Sequence, residues 1–177
     1  MNSKFLGSMA LAAMIIGFAP QVAFADTRLN GSFAVAYSIT PNTGGLSYCD
    51  GPALPFAIEA HGNGFTFVGP LSFTLVKTGG GGAFHGCLTL TAPNGDILQA
   101  TYAGAGIPPN QNNFAFADGT LVFTGGTGRF RNARGNGTWT AVFDNFYVAS
   151  SILGGGPAVP LQGMAFYEIE GKIRRGN

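Results

Sequence analysis

Charge is scarce in this chain, and so are the residues that most enzyme chemistry needs. The 177 residues include 9 Lys and Arg, 8 Asp and Glu, 2 His and 2 Cys. A formal net charge of +1 gives nucleic acid or an anionic membrane surface no basic excess to bind. Neither cysteine stands in a CxxC or other metal-ligand spacing, and no nucleophile elbow or Ser/His/Asp order is present, so no metal and no cofactor is expected. The four glycines Gly79 to Gly82 are not followed by Lys-Ser/Thr or by a helical pattern, which excludes a phosphate-cradling loop. After residue 25 no apolar 3.6-residue period lasts three turns, so helical folds are excluded too.

What is abundant is glycine, 29 residues, and phenylalanine, 16, and the glycines punctuate short apolar runs. Before that pattern begins, residues 1–25 show one lysine, Lys4, an apolar run, Pro20 and a small-x-small end at Ala23 and Ala25. That is the layout of a secretory signal peptide cut after Ala25, and the run is shorter than a membrane span needs. Residues 26–177 are then expected to form one exported domain, secreted or periplasmic, with no membrane attachment after cleavage. In an oxidising compartment Cys49 and Cys87 are expected to pair, adding on the order of 3 to 4 kcal/mol by restricting the unfolded chain.

The exported part reads as strands throughout. Phe33, Val35, Tyr37 and Ile39 alternate with small residues; Leu54, Phe56 and Ile58 alternate with Ala57, Glu59 and His61. Asn63-Gly64 reads as a turn, Gly69-Pro70 as a bulge or kink, and Leu71, Phe73 and Leu75 resume the period of two. Gly79 to Gly82 reads as a hairpin tip, followed by Phe84, Leu88 and Leu90 on one face of the next strand. Residues 93–96, PNGD, join that strand to Ile97–Ala103 in a hairpin. Phe114 to Ala117 pairs weakly before an Asp118-Gly119 turn; Thr120–Thr124, Asn136–Phe143 and Gly163–Ile173 complete the set, with a long loop at 150–162. Seven to nine short strands joined by tight turns mean an antiparallel barrel or sandwich.

Few side chains offer chemistry. Glu59 and His61 share a strand face opposite Phe56 and Ile58, hence outside; His85 and Cys87 share an outward face; Asp96 is a turn residue; the side of Tyr102 is unsettled. Trp139 belongs to the core or to a contact between copies of the chain, so a homo-oligomer is compatible with the sequence.

Residues 124–135, TGGTGRFRNARG, hold four glycines, of which Gly125, Gly126 and Gly128 suit a sharp corner, with an apolar Phe130 and a small Ala133. The segment resembles the GGTG-(K/R)-F-x-x-A-x-G signature of allene oxide cyclase and dirigent barrels. The likeness extends from Leu88 to Ile173, with Asn94-Gly95-Asp96, Ala100 and Tyr102 similar to the preceding hairpin and Phe166-Tyr167 with Gly171 to the closing strand. It implies an all-β fold, a single antiparallel eight-stranded barrel of calycin-like shape. Gly125, Gly126, Gly128, Ala133 and Gly135 would then form a structural turn that closes one barrel end around Phe130. Arg129, Arg131 and Arg134 would lie on the outer rim, solvated or paired with Asp118, Asp144 or Glu168, or one would meet a carbonyl or carboxylate ligand.

Two classes of function follow. A binding barrel would hold one small apolar molecule among Phe33, Phe56, Phe73, Leu88, Tyr102 and Phe130, or serve as a stable scaffold. The alternative, implied by the resemblance, is an isomerase or cyclase acting on a lipid- or terpenoid-like intermediate, or dirigent-type orientation of a coupling reaction.

Overall fold

The computed structural model describes residues 26–107, 114–144 and 161–174; the signal peptide expected at 1–25 and most of the 150–162 loop lie outside the described residues. Strands are β1 (Thr27–Arg28), β2 (Gly31–Pro41), β3 (Phe56–Thr66), β4 (Gly69–Gly80), β5 (Ala83–Thr91), β6 (Ile97–Ile107), β7 (Ala115–Gly126), β8 (Arg134–Phe143) and β9 (Leu161–Arg174). Each of β2 to β9 pairs antiparallel with its sequence neighbour, and β9 returns to β2 with Phe33 opposite Tyr167. That last pairing closes an eight-stranded antiparallel barrel. The two residues of β1 extend the sheet by pairing with Ile173 and Lys172 near the end of β9.

Alternation decides what faces inward. Phe33, Val35, Tyr37 and Ile39 on β2 are buried, while Ala34 and Ala36 between them are exposed. The inward rings touch one another along the barrel: Phe33 on Phe73 at 5.3 Å, Phe73 on Tyr167 at 5.0 Å, Tyr167 on Trp139 at 5.9 Å and on Phe143 at 5.8 Å. Trp139 stacks on Tyr102 at 4.1 Å, and Phe143 meets Tyr37 edge-on at 5.4 Å. This aromatic column runs through a core that also holds aliphatic side chains, among them Leu75, Leu88, Leu121 and Ile169.

Two glycine dipeptides expected as turns lie inside strands instead. Asn63-Gly64 is within β3, where a side chain on Gly64 would enter the Phe33 ring; the chain reverses at 66–69, with Gly69 at φ 105°. Asp118-Gly119 is within the unbroken strand β7, where Gly119 leaves room for the Trp139 indole. Both glycines serve the interior, not a bend.

The barrel ends differ. One carries the 42–55 loop, the Gly81-Gly82 hairpin tip, and the ends of β6 and β8. The Cys49–Cys87 disulfide, spanning 38 residues, fastens that loop to the outer wall, and Thr78 Oγ1 donates to Pro52 O at 2.7 Å beneath it. The other end carries the glycine-arginine segment. There a short 3-10 turn, Gly128–Phe130, drops Phe130 into the core at 0% exposure and leaves Ala133 equally buried. Gly128 has φ 52°, and its Cα lies so close to the Asp96 carboxyl that a side chain would collide with it.

Candidate functional site

Continuing the alternation of Leu71, Phe73 and Leu75 along β4 brings the next inward position to Lys77. Its side chain is 0% exposed, and among the described residues it is the only charged side chain that is buried. Register explains how it fits: Lys77 stands opposite Gly86 on β5, and Gly86 stands opposite Tyr102 on β6. Where a side chain at residue 86 would collide with Lys77, hydrogen leaves the lysine free to lie across β5 toward Tyr102.

Lys77 Nζ donates to the Tyr102 hydroxyl at 3.3 Å and to the Tyr167 hydroxyl at 3.5 Å. Five rings surround it, with centroids at 4.1 Å (Phe84), 4.8 Å (Tyr102), 5.2 Å (Phe143), 5.6 Å (Trp139) and 6.0 Å (Tyr167). Trp139 is itself held by donation from Nε1 to Ala103 O at 3.2 Å, its indole seated over Gly104 and Gly119. Among the described residues no carboxylate pairs with the amine.

Burial without a counter-charge lowers the Lys77 pKa from 10.5 to about 7. The ring faces attract the cationic fraction that remains. Both amine forms are therefore populated at neutral pH. Tyr102 and Tyr167 are pushed well above the usual phenol value, first by burial and, for Tyr102, also by the neighbouring Tyr167; both stay protonated donors. Tyr37, donating to Asp144 O at 2.9 Å, is raised to about 12 by burial and then by Asp144. The ensemble is an amine beside two phenols, enclosed by five rings, whose nitrogen can donate, accept or attack.

The residues singled out from sequence are distributed around this point. Phe33, Phe73, Leu88, Tyr102 and Phe130 are buried inward side chains, and Phe56 is half-buried at the loop-bearing end. Of these Tyr102 touches the amine, while Phe130 closes the opposite end. Glu59 and His61 are exposed on the outer wall. His85 lies under the 42–55 loop against Gly51, its Nδ1 buried without a hydrogen-bond partner among the described residues. The arginine-rich turn meets Asp96, not Asp118, Asp144 or Glu168: Asp96 Oδ2 accepts from the Arg129 backbone N–H at 3.1 Å and lies 3.9 Å from its guanidinium. That hydrogen bond, then one from Asn94, holds the Asp96 carboxyl below its ordinary pKa. Arg134 donates to the carbonyls of Thr124 and Ala133. Gly125 and Gly135 adopt φ 150° and 156°, and a side chain on Gly126 would strike Ile97 O. No group of three potential metal ligands is found among the described residues.

No family model and no curated protein matches the sequence. The chain is similar to a dirigent protein of solved structure. That protein is a pterocarpan synthase dirigent protein, at 16% identity and TM-score 0.44, with 88% of this chain and 90% of that chain covered. The barrel described above rests on its own strand register.

Outside the barrel, a groove of about 730 Å³ runs over Ala34, Asn63 and Pro70 between Phe65 and Phe166, which are 77% and 59% exposed. It offers rings to solvent, whereas the Lys77 cage encloses its polar atom.

Proposed function

We propose that the protein is an exported β-barrel that holds one small aromatic or otherwise apolar molecule at the loop-bearing end of its interior, with Lys77 as the polar anchor. The supporting observation is the buried amine itself. A lysine sealed among five rings without a carboxylate destabilises the fold, and a methionine would fill the same space without that cost. A buried group with a perturbed pKa and no counter-charge among the described residues is a candidate for acting on a ligand. Phe84 is the half-buried member of the cage, so a ligand reaches Nζ by displacing the Phe84 ring that covers it at 4.1 Å.

The test is a panel of small aromatic alcohols, aldehydes and carboxylic acids, read by thermal shift and native mass spectrometry on the wild type and on Lys77→Met. The reading expects at least one class to bind the wild type one-to-one and to lose at least tenfold in affinity on the variant. Equal binding to both proteins, or to neither, overturns it.

A further inference from the structure

We infer that Lys77 captures small aromatic aldehydes covalently, as an imine on Nζ. This deepens the binding reading above and rests on it. Imine formation needs three things: a nitrogen lone pair, an acid for the departing oxygen, and a place from which water is excluded. The cage supplies each.

Among the described residues no carboxylate holds Nζ as an ammonium, and its two hydrogen-bond partners there are neutral phenols that can accept from it or donate to it. A free carboxylic acid would find Lys77 as the sole buried charge among the described residues, with no second cation to complete a bidentate site; a carbonyl needs only the amine. The nitrogen lone pair attacks the carbonyl carbon, the C–N bond forms, and the carbonyl π electrons move to oxygen. That oxygen takes a proton from the Tyr102 or Tyr167 hydroxyl, and nitrogen returns one to the phenolate. A second proton from the same hydroxyl breaks the C–O bond and releases water as the C=N bond forms, and the iminium N–H returns a proton to the phenolate. Amine and aldehyde are thus converted to imine and water, with no oxidant or reductant. The surrounding rings, at 4.1 to 6.0 Å from Nζ, leave little water to reverse the last step and offer faces to a conjugated product.

Access fixes the size of the substrate. Lys77 is three residues from the end of β4 at Gly80, about 10 Å along the strand. Phe84 covers the amine at 4.1 Å from the half-buried position nearest that end, with Gly79 and Gly106 lying beside its ring. A single aromatic ring with a short conjugated arm matches this depth.

The experiment incubates the folded protein with benzaldehyde or cinnamaldehyde and sodium cyanoborohydride at pH 7, followed by intact-mass analysis and peptide mapping. The exposed Lys172 is the internal comparison. One adduct on Lys77, formed at least tenfold faster than on Lys172 and absent from Lys77→Met, is the expected result. Phe84→Ala should speed trapping several-fold, and Tyr102→Phe should slow it about tenfold through loss of one proton donor. Labelling of Lys172 with Lys77 untouched overturns the inference. Thermal stabilisation by the aldehyde and by the matching alcohol, without trapping, overturns the imine but leaves the binding reading standing. No stabilisation by either overturns both.

Discussion

Replacing Lys77 by methionine should make the protein more stable, and the gain should shrink as pH rises. The unfolded chain holds the lysine proton up to about 10.5, whereas the fold releases it near 7. Between those values the unfolded state carries more protons than the native state, so wild-type stability must climb with pH, by about 1.4 kcal/mol per unit. The full gap corresponds to roughly 5 kcal/mol, present as a penalty below pH 7 and relieved toward pH 10.5. Methionine has no such proton, and it keeps most of the lysine's volume among the rings. It forfeits the two hydrogen bonds to the phenols, about 1 kcal/mol each. Near pH 7 the variant should therefore be more stable by about 3 kcal/mol, and the difference should fall by about 2 to 3 kcal/mol between pH 7.5 and 9.5. Urea denaturation of both proteins at half-unit pH intervals reads this directly, because the tyrosines titrate alike in the two chains and cancel in the difference. A pH-independent difference, or a variant less stable than the wild type at pH 7, would refute the reasoning: the amine would then be solvated or paired.

Three further outcomes follow from the frame around the site. Gly126→Val should lower unfolding free energy by roughly 2 to 3 kcal/mol, because its side chain meets Ile97 O and crowds Phe130; an unchanged melting temperature would show that the turn yields freely. Opening the Cys49–Cys87 link by alanine substitution of both residues should cost up to about 4 kcal/mol for a 38-residue separation, and thiol labelling of the unreduced wild type should find neither cysteine. Asp96→Asn should lower the melting temperature near neutral pH and make no difference once pH falls below the depressed carboxyl pKa, since the carboxylate's bonds to Arg129 and Asn94 are lost there in the wild type as well. Melting curves of Asp96→Asn that track the wild type at every pH would remove Asp96 from the closure of that end.

How far the molecule could be read from sequence depended on which signals were local. Alternation in residues 31–40 and the PNGD turn at 93–96 are short-range, and the strands they mark are present in the barrel. The pairing of Phe33 with Tyr167 joins residues at opposite ends of the chain, and no period within either strand announces it. Glycine was ambiguous for a physical reason: a missing side chain permits a turn, but it also makes room for a neighbour's ring. Gly64 and Gly119 do the second, under Phe33 and Trp139. The side of Tyr102 is ambiguous from Ile97, at the strand's first position, but Leu98 and Ala100 share its phase and point inward with it. Lys77 was legible in the same way, two residues beyond Leu75. Lysine is so rarely buried unpaired that its identity argues against extending the alternation through it. The rule that hides such a residue is also what makes it informative once found.

The most direct test of the buried amine is its own titration. Lysine enriched with ¹³C at Cε, followed by NMR from pH 5 to 11 with the Lys77→Met spectrum assigning the signal, should show Lys77 changing protonation near pH 7 in the folded protein. A midpoint near 10.5 would contradict the account: the site would then hold an ordinary ammonium, and neither the anchor nor the imine chemistry would have its chemical basis.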